Sequence, residues 1–227
     1  MLSEAQSKLD STRAQETGGA RGMLLIVSSP SGGGKGTLIQ RVLKSVPNVG
    51  YSISFTTRAP RQGEMDGRDY HFVSREIFQK MIQEDGFLEW AVVHGNLYGT
   101  GRETVLHELS LGRDIILEID VQGAESVRRL APEAVGVFIL PPSFEILRQR
   151  LTRRGSEHKP DLDLRLSNAS AEVSRYNEFD YVLINDEVER AAAQLAAIVY
   201  AERARRERQE EEVRRVLASF PPVKQEP

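Results

Sequence analysis

A triple glycine followed by lysine, Gly32-Gly33-Gly34-Lys35, constrains this chain more than any other feature. It sits inside Ser29-Pro30-Ser31-Gly32-Gly33-Gly34-Lys35-Gly36-Thr37. An apolar run, Met23 to Ser28, leads into it. Leu38, Ile39, Val42 and Leu43 follow at helical spacing until Pro47. The pattern predicts a buried strand, a glycine loop and a helix. Such a loop suits a phosphate. Glycines let successive backbone N–H groups converge on one anion, and the helix N-terminus adds partial positive charge. Lys35 reaches toward the β- and γ-phosphates of a bound nucleotide and can follow charge as it migrates. The strict pattern G-x-x-x-x-G-K-[ST] is broken twice. Ser29 replaces the first glycine, and Gly36 replaces the hydroxyl residue that touches Mg²⁺, so the hydroxyl comes one place later, at Thr37.

Three further apolar runs read as strands: Asp114 to Asp120, Val135 to Leu140 and Tyr181 to Ile184. Continuous apolar strands separated by helical patterns predict a parallel sheet covered by helices on both faces, an α/β fold. The expected organisation is a disordered leader (1–21), one domain (22–205) and a charged helical tail (206–227). Within the domain the core comprises 22–51, 105–145 and 176–205, with a polar, turn-rich insertion at 52–104 and an Arg-rich helical segment at 146–175. From Glu187 a long helical pattern begins, and beyond Ala201 it becomes densely charged. A solvated helix held by i,i+4 pairs explains that run.

Composition closes several routes. The 227 residues include no cysteine, which rules out disulfides, thiolate zinc sites and cysteine nucleophiles. The formal net charge of -3 argues against a nucleic acid polymer as partner. No stretch approaches the roughly 20 apolar residues of a membrane helix. The leader lacks a signal-peptide pattern, and the cytoplasm is the expected compartment. The histidines, His71, His94, His107 and His158, share no metal-ligand spacing.

A series of ordered motifs then resembles one family, the guanylate kinases. Pro30-Ser31-Gly32-x-Gly34-Lys35 is similar to that family's phosphate loop, although the Gly-Lys-Gly-Thr ending is closer to adenylate kinases. The likeness continues through Ser54-Phe55-Thr56-Thr57-Arg58-Ala59-Pro60-Arg61-x-Gly63-Glu64, Gly67-Arg68-Asp69-Tyr70-His71-Phe72-Val73 and Phe87-Leu88-Glu89-Trp90-Ala91. Gly95-Asn96-Leu97-Tyr98-Gly99-Thr100, Glu118-Ile119-Asp120-Val121-Gln122-Gly123-Ala124 and Phe138-Ile139-Leu140-Pro141-Pro142-Ser143 extend it. It spans about Met23 to Arg205.

The resemblance implies a P-loop α/β core, a GMP-binding subdomain (52–104) and a mobile lid (146–175). The implied activity is transfer of the γ-phosphate of ATP to GMP, giving ADP and GDP, within purine nucleotide metabolism. ATP and GMP are the implied partners and Mg²⁺ the implied cofactor. The loop from Ser29 to Thr37, with Asn185 beside the adenine, would bind ATP. Arg58, Arg61, Tyr70 and Tyr98 would hold the GMP phosphate, a task suited to planar guanidinium groups. Glu89 would accept from guanine N1–H and N2–H, and the hydroxyls of Ser54 and Thr100 would serve O6. Adenine offers a bare acceptor where Glu89 expects a donor. Glu118 and Asp120 lie two apart on a strand and so share a face. Both are expected among the GMP-binding residues, with a base-side or water-mediated contact for Glu118 and, for Asp120, ordering of Mg²⁺ through water as well. In Arg150-Leu151-Thr152-Arg153-Arg154-Gly155, which resembles the lid motif, Arg150 and Arg154 are four apart on one helical face. With Arg165 they would converge on the transferred phosphoryl group. Lys35, Arg58, Arg150, Arg154 and Arg165 are thus the expected catalytic set. Mg²⁺ would be held by ATP phosphates and water, with Thr37 and Asp120 as the candidate protein contributors. Two alternatives stand at this point: an adenylate- or uridylate-type kinase, and a non-enzymatic binding module of the same fold.

Overall fold

The structure is a computed structural model that describes residues 21–93, 95–153 and 159–221. The chain opens with β1 (Leu24–Ser28), turns through the glycine loop into α1 (Lys35–Ser45) and returns along β2 (Val49–Tyr51). An excursion follows, made of β3 (Phe55–Thr56), β4 (His71–Phe72), α2 (Arg75–Gln83), β5 (Phe87–Val93) and β6 (Asn96–Gly101). The chain then continues as α3 (Arg102–Ser110), β7 (Asp114–Glu118), α4 (Val121–Leu130) and β8 (Val135–Leu140). Next come α5 (Phe144–Arg153), α6 (Lys159–Val173), a 3₁₀ turn (Tyr176–Glu178), β9 (Tyr181–Ile184), α7 (Val188–Arg203) and α8 (Arg206–Ala218).

The large sheet has the order β2-β7-β1-β8-β9, and every pairing in it is parallel. β1 shows why it occupies the centre. Side chains alternate across a strand, and both of its faces are apolar. Met23, Leu25 and Val27 pack with Leu38, Ile39 and Val42 of α1 and Leu195 and Val199 of α7. Leu24 and Ile26 pack on the other face with Val105 and Leu109 of α3 and Ala124 and Val127 of α4. Helices therefore cover both faces, as the apolar runs require.

The excursion makes a second sheet, ordered β4-β3-β6-β5. Its own small core is Phe78, Phe87 and Leu97, with Phe55 packed against it. Phe78 stacks on Phe87 with centroids 4.4 Å apart. Ser74 caps α2 by accepting from the Ile77 N–H at 3.3 Å.

Three details differ from the expectations. β2, only three residues long, is an edge strand too short to show periodicity. The strand expected to reach Asp120 stops at Glu118. Asp120 instead caps α4, its carboxylate accepting from the Gly123 N–H at 2.8 Å. The helical pattern that starts near Glu187 divides at Ala204–Arg205. α7 is anchored there: Tyr181 donates to buried Glu202 at 2.5 Å, and Arg203 pairs with Asp114 at 2.7 Å. α8 beyond the break buries none of its residues. Among the described residues, no helix is long and apolar enough to cross a membrane.

Candidate active site

Because the large sheet is parallel, all of its strands end on one side. Ser28, Tyr51, Glu118, Leu140 and Ile184 mark that edge, where open α/β sheets bind ligands. The glycine loop leaves β1 there. Gly32 and Gly34 hold φ at +83° and +92°, a region that favours glycine. Ser29 is buried and its hydroxyl donates to the Pro30 carbonyl at 3.0 Å. The Gly33 N–H donates to the same carbonyl at 2.8 Å. Lys35 and Gly36 open α1, half-buried, and Thr37 lies exposed in its first turn.

Neighbours pin this loop from three sides. Asn185, just past β9, donates its side-chain amide to the Gly33 carbonyl at 2.8 Å. Arg150 of α5 donates to the Asn185 carbonyl at 2.8 Å and reaches the Gly33 carbonyl at 3.4 Å. Glu172 of α6 accepts from the Ser31 N–H at 3.1 Å. Glu118 faces the helix start, for a Cβ on Gly36 would lie 3.6 Å from its carboxylate. Tyr51 donates to that carboxylate at 3.2 Å. Burial and the neighbouring Glu118 push the Tyr51 phenol well above its usual range.

The small sheet supplies a second cluster. Glu89 on β5 lies directly across from Thr100 on β6. Both are buried, and Thr100 donates to Glu89 at 2.6 Å. Burial pushes the Glu89 carboxyl up to about 7; the Thr100 hydrogen bond opposes this and nearby Asp120 reinforces it. The proximity to α4 is tight, since a Cβ on Gly123 would fall 2.9 Å from the Glu89 carboxylate. Ser54 is half-buried just before β3, its carbonyl accepting from the His71 N–H at 2.9 Å.

At the other end of this sheet, Arg58, Tyr98 and Tyr70 meet. Arg58 Nε donates to the Tyr98 hydroxyl at 3.2 Å, and its guanidinium sits 5.3 Å from the Tyr70 ring centroid. Tyr70 and Tyr98 pack edge to face at 5.9 Å. Glu64 pairs with Arg58 at 2.9 Å, which holds the Glu64 carboxyl below the usual range. Its other oxygen accepts from the Arg61 N–H at 2.7 Å. Arg61 itself is exposed on this turn, so the two arginines expected to act together occupy different environments.

Glu64, Tyr51 and Glu172 carried no expected role. Glu64 ends the Ser54–Glu64 motif, and its spacing from Arg61 is the available signal. Nothing local in the sequence ties Tyr51 to Glu118, 67 positions on, or Glu172 to the loop, 141 positions back. Arg165 lies half-buried on α6. Arg154 lies outside the described residues. Among the described residues, no three His, Asp or Glu side chains are grouped as a metal cage requires. The oxygen donors near the loop, Glu118 and Thr37, suit a hard cation that keeps its waters and binds with a nucleotide's phosphates.

The guanylate kinase family model matches residues 21–202. The chain is 52% identical to the guanylate kinase of Dechloromonas aromatica over 180 residues, covering 79% of this chain and 89% of that one. It is 51% identical to the guanylate kinase of Shewanella denitrificans over 185 residues, covering 81% and 89%. The crystal structure of guanylate kinase from Anaplasma phagocytophilum superimposes with a TM-score of 0.75 at 34% identity, covering 90% of this chain and 98% of that one. The chain belongs to the guanylate kinase family.

Proposed function

We propose that this chain transfers the γ-phosphoryl group of ATP to GMP, giving ADP and GDP, and serves purine nucleotide metabolism. The observation that carries the choice of GMP is the buried Glu89–Thr100 pair. Guanine presents N1–H and an N2 amino group side by side, and an ionised Glu89 accepts from both. Thr100 has one proton and spends it on Glu89. Its oxygen is then left to accept, which fits the second N2 hydrogen. Ser54 remains as the hydroxyl that donates to O6, so O6 falls to Ser54 alone rather than to both hydroxyls. Adenine lacks the N2 amino group and would turn its N1 lone pair toward Glu89. Sites that read such hydrogen bonds reject the wrong partner by up to about 10⁴–10⁵-fold.

Arg58, Tyr70 and Tyr98 bind the GMP phosphate, with Arg61 closing over it from the exposed turn. Glu64 holds the Arg58 fork in place. The geometry favours moving the metal-water role from Asp120 to Glu118, the last residue of β7, and keeping Asp120 on the GMP side. Glu118 faces Gly36 and the loop, so it is the better carboxylate for ordering metal-bound water. Asp120 raises the Glu89 carboxyl and caps α4, which sets it on the guanine side. Mg²⁺, when bound with ATP, would neutralise charge on the phosphoryl oxygens. Glu118 through water, with Thr37, would hold it.

The loop from Ser29 to Gly36 cradles the ATP phosphates, Lys35 follows the migrating charge, and Asn185 adjoins the nucleotide. The segment 146–175 acts as a lid that brings Arg150, Arg154 and Arg165 to the transferred group. Positioning and charge neutralisation supply most of the acceleration in such a step. No general base is needed, because a phosphate monoester oxygen is already a nucleophile. The core and GMP-binding subdomain divide as 22–51, 105–145 and 176–205 against 52–104. ATP and GMP meet in the cytoplasm, and we place the enzyme there.

The test is ADP production from MgATP with GMP, AMP, UMP and CMP as separate acceptors. Turnover with GMP alone supports the reading. Turnover with AMP or UMP would assign the specificity elsewhere, and no turnover would favour a binding module.

A further inference from the structure

We infer that Asn185 is a positioning residue for the phosphate cradle: by donating to the Gly33 carbonyl, its side chain sets the Gly33–Gly34 peptide so that the Gly34 N–H faces the phosphates. This rests on the ATP-loop reading above. It moves the work of the Asn185 side chain from the adenine end of the nucleotide to the phosphate end.

Asn185 is rigidly mounted. Its backbone N–H extends the sheet by donating to the Leu140 carbonyl at 2.7 Å, and its carbonyl accepts from Arg150 at 2.8 Å. The side chain is 2% exposed and points its amide nitrogen at the Gly33 carbonyl, 2.8 Å away. A trans peptide is planar, with C=O and N–H on opposite sides. Holding the Gly33 oxygen against Asn185 therefore turns the Gly34 N–H the other way, away from the protein beneath. The fit leaves no room for a side chain, since a Cβ on Gly34 would sit 2.4 Å from the Asn185 amide nitrogen.

One observation argues against a filler role. The Asn185 Oδ1 is buried without a partner among the described residues. A buried acceptor left unpaired is unfavourable, and a leucine would fill the same space without one. The donated hydrogen bond is what the amide adds. Arg150 also reaches the Gly33 carbonyl, at 3.4 Å. Once Arg150 turns to a phosphoryl group, Asn185 is left to hold that peptide.

The experiment is calorimetric titration of MgATP and, separately, of GMP into the full chain, with thermal melts alongside. Asn185→Leu is expected to weaken MgATP about tenfold, the worth of one hydrogen bond near 1.4 kcal/mol. GMP affinity and Tm should not fall. Asn185→Asp keeps the shape but turns an acceptor on the carbonyl. Its MgATP affinity, relative to wild type at each pH, should recover as pH falls and the buried acid gains a proton to donate. Wild-type MgATP affinity in Asn185→Leu would overturn the inference. So would equal loss of ATP, GMP and Tm in both variants with no recovery at low pH. A wild-type chain that binds GMP but no ATP would overturn the loop reading, and this inference with it.

Discussion

The glycine loop and the guanine-side pocket share one edge of the molecule but are built from different material. On the proposed reading the loop binds phosphate through main-chain N–H groups and Lys35, and the neighbouring side chains hold its backbone still. Asn185, Arg150 and Glu172 all attach to loop backbone atoms. In the small sheet the proposed binding groups are side chains, and they hold one another: Thr100 on Glu89, Tyr98 and Glu64 on Arg58. The mountings differ as well. The loop hangs from β1, buried along its whole length, whereas β3 is two residues long in a sheet whose small core has three buried side chains, Phe78 of α2 with Phe87 and Leu97. A backbone cradle binds any polyphosphate of the right length. A side-chain pocket reads one base. Affinity for the donor and selectivity for the acceptor are thus separable by mutation.

The sharpest way to break that division is a crossed pair of variants. Lys35→Ala should lower kcat by about 10³-fold, because charge on the transferring group loses its mobile partner. GMP affinity should stay unchanged. Arg58→Ala should cut kcat/KM for GMP by about 10²–10³-fold, the cost of one preorganised donor at a phosphoryl group. ATP affinity should stay unchanged. Steady-state kinetics and direct titration of each nucleotide check both. Equal loss of the two ligands in either variant would mean that the regions are one site rather than two.

A smaller effect is expected at Glu89, where selectivity should move more than rate. Glu89→Gln replaces a double acceptor with one acceptor and one donor. GMP turnover should fall about 10²-fold in kcat/KM, and the ratio of GMP to AMP should narrow by a similar factor. Competition assays with both acceptors measure that ratio directly.

The same residue predicts a stability change. The Glu89 carboxyl is pushed up to about 7 in the folded chain, so the folded state holds a proton that the unfolded state releases from about pH 4.5 upward. Stability is therefore lost as pH rises through 7, by about 3 kcal/mol when complete. Glu89→Gln should melt at nearly the wild-type temperature at pH 5 and above it at pH 8. Thermal scans of ligand-free protein at the two pH values decide this. If GMP binds the ionised carboxylate as proposed, its binding should release protons near neutrality, and Glu89→Gln should abolish that share of the release.

The contrast between the regions also explains what was legible in the sequence. The parallel core announced itself because strands buried on both faces are unbroken apolar runs, as in β1 and β8. The glycine loop was legible because its chemistry is local, with strand, glycines, lysine and helix in series. The pocket residues were legible through resemblance, since no local pattern says that Glu89 and Thr100 face each other across two strands. The strand expected to run to Asp120 ends at Glu118, where a helix cap outcompeted two more residues of ladder. Tyr51 and Glu172 were not legible because each acts on a partner that only the folded topology brings near.

Tyr51 offers the smallest and most discriminating test, because it joins the two regions. It lies on the edge strand that leads to Ser54, yet its hydroxyl donates to Glu118, whose carboxylate faces Gly36 at the start of α1. If Glu118 serves the phosphate side, Tyr51→Phe should raise the KM for MgATP about fivefold, the worth of one hydrogen bond near 1 kcal/mol. The GMP to AMP ratio should not change. If Glu118 instead reads the acceptor, that ratio should move and the MgATP term should not. The phenyl ring keeps its place beside the sheet in either case, so the hydroxyl alone is being weighed. A shift in both quantities would show that Glu118 couples the cradle to the pocket, and the separation between backbone-built and side-chain-built halves would then end at this residue.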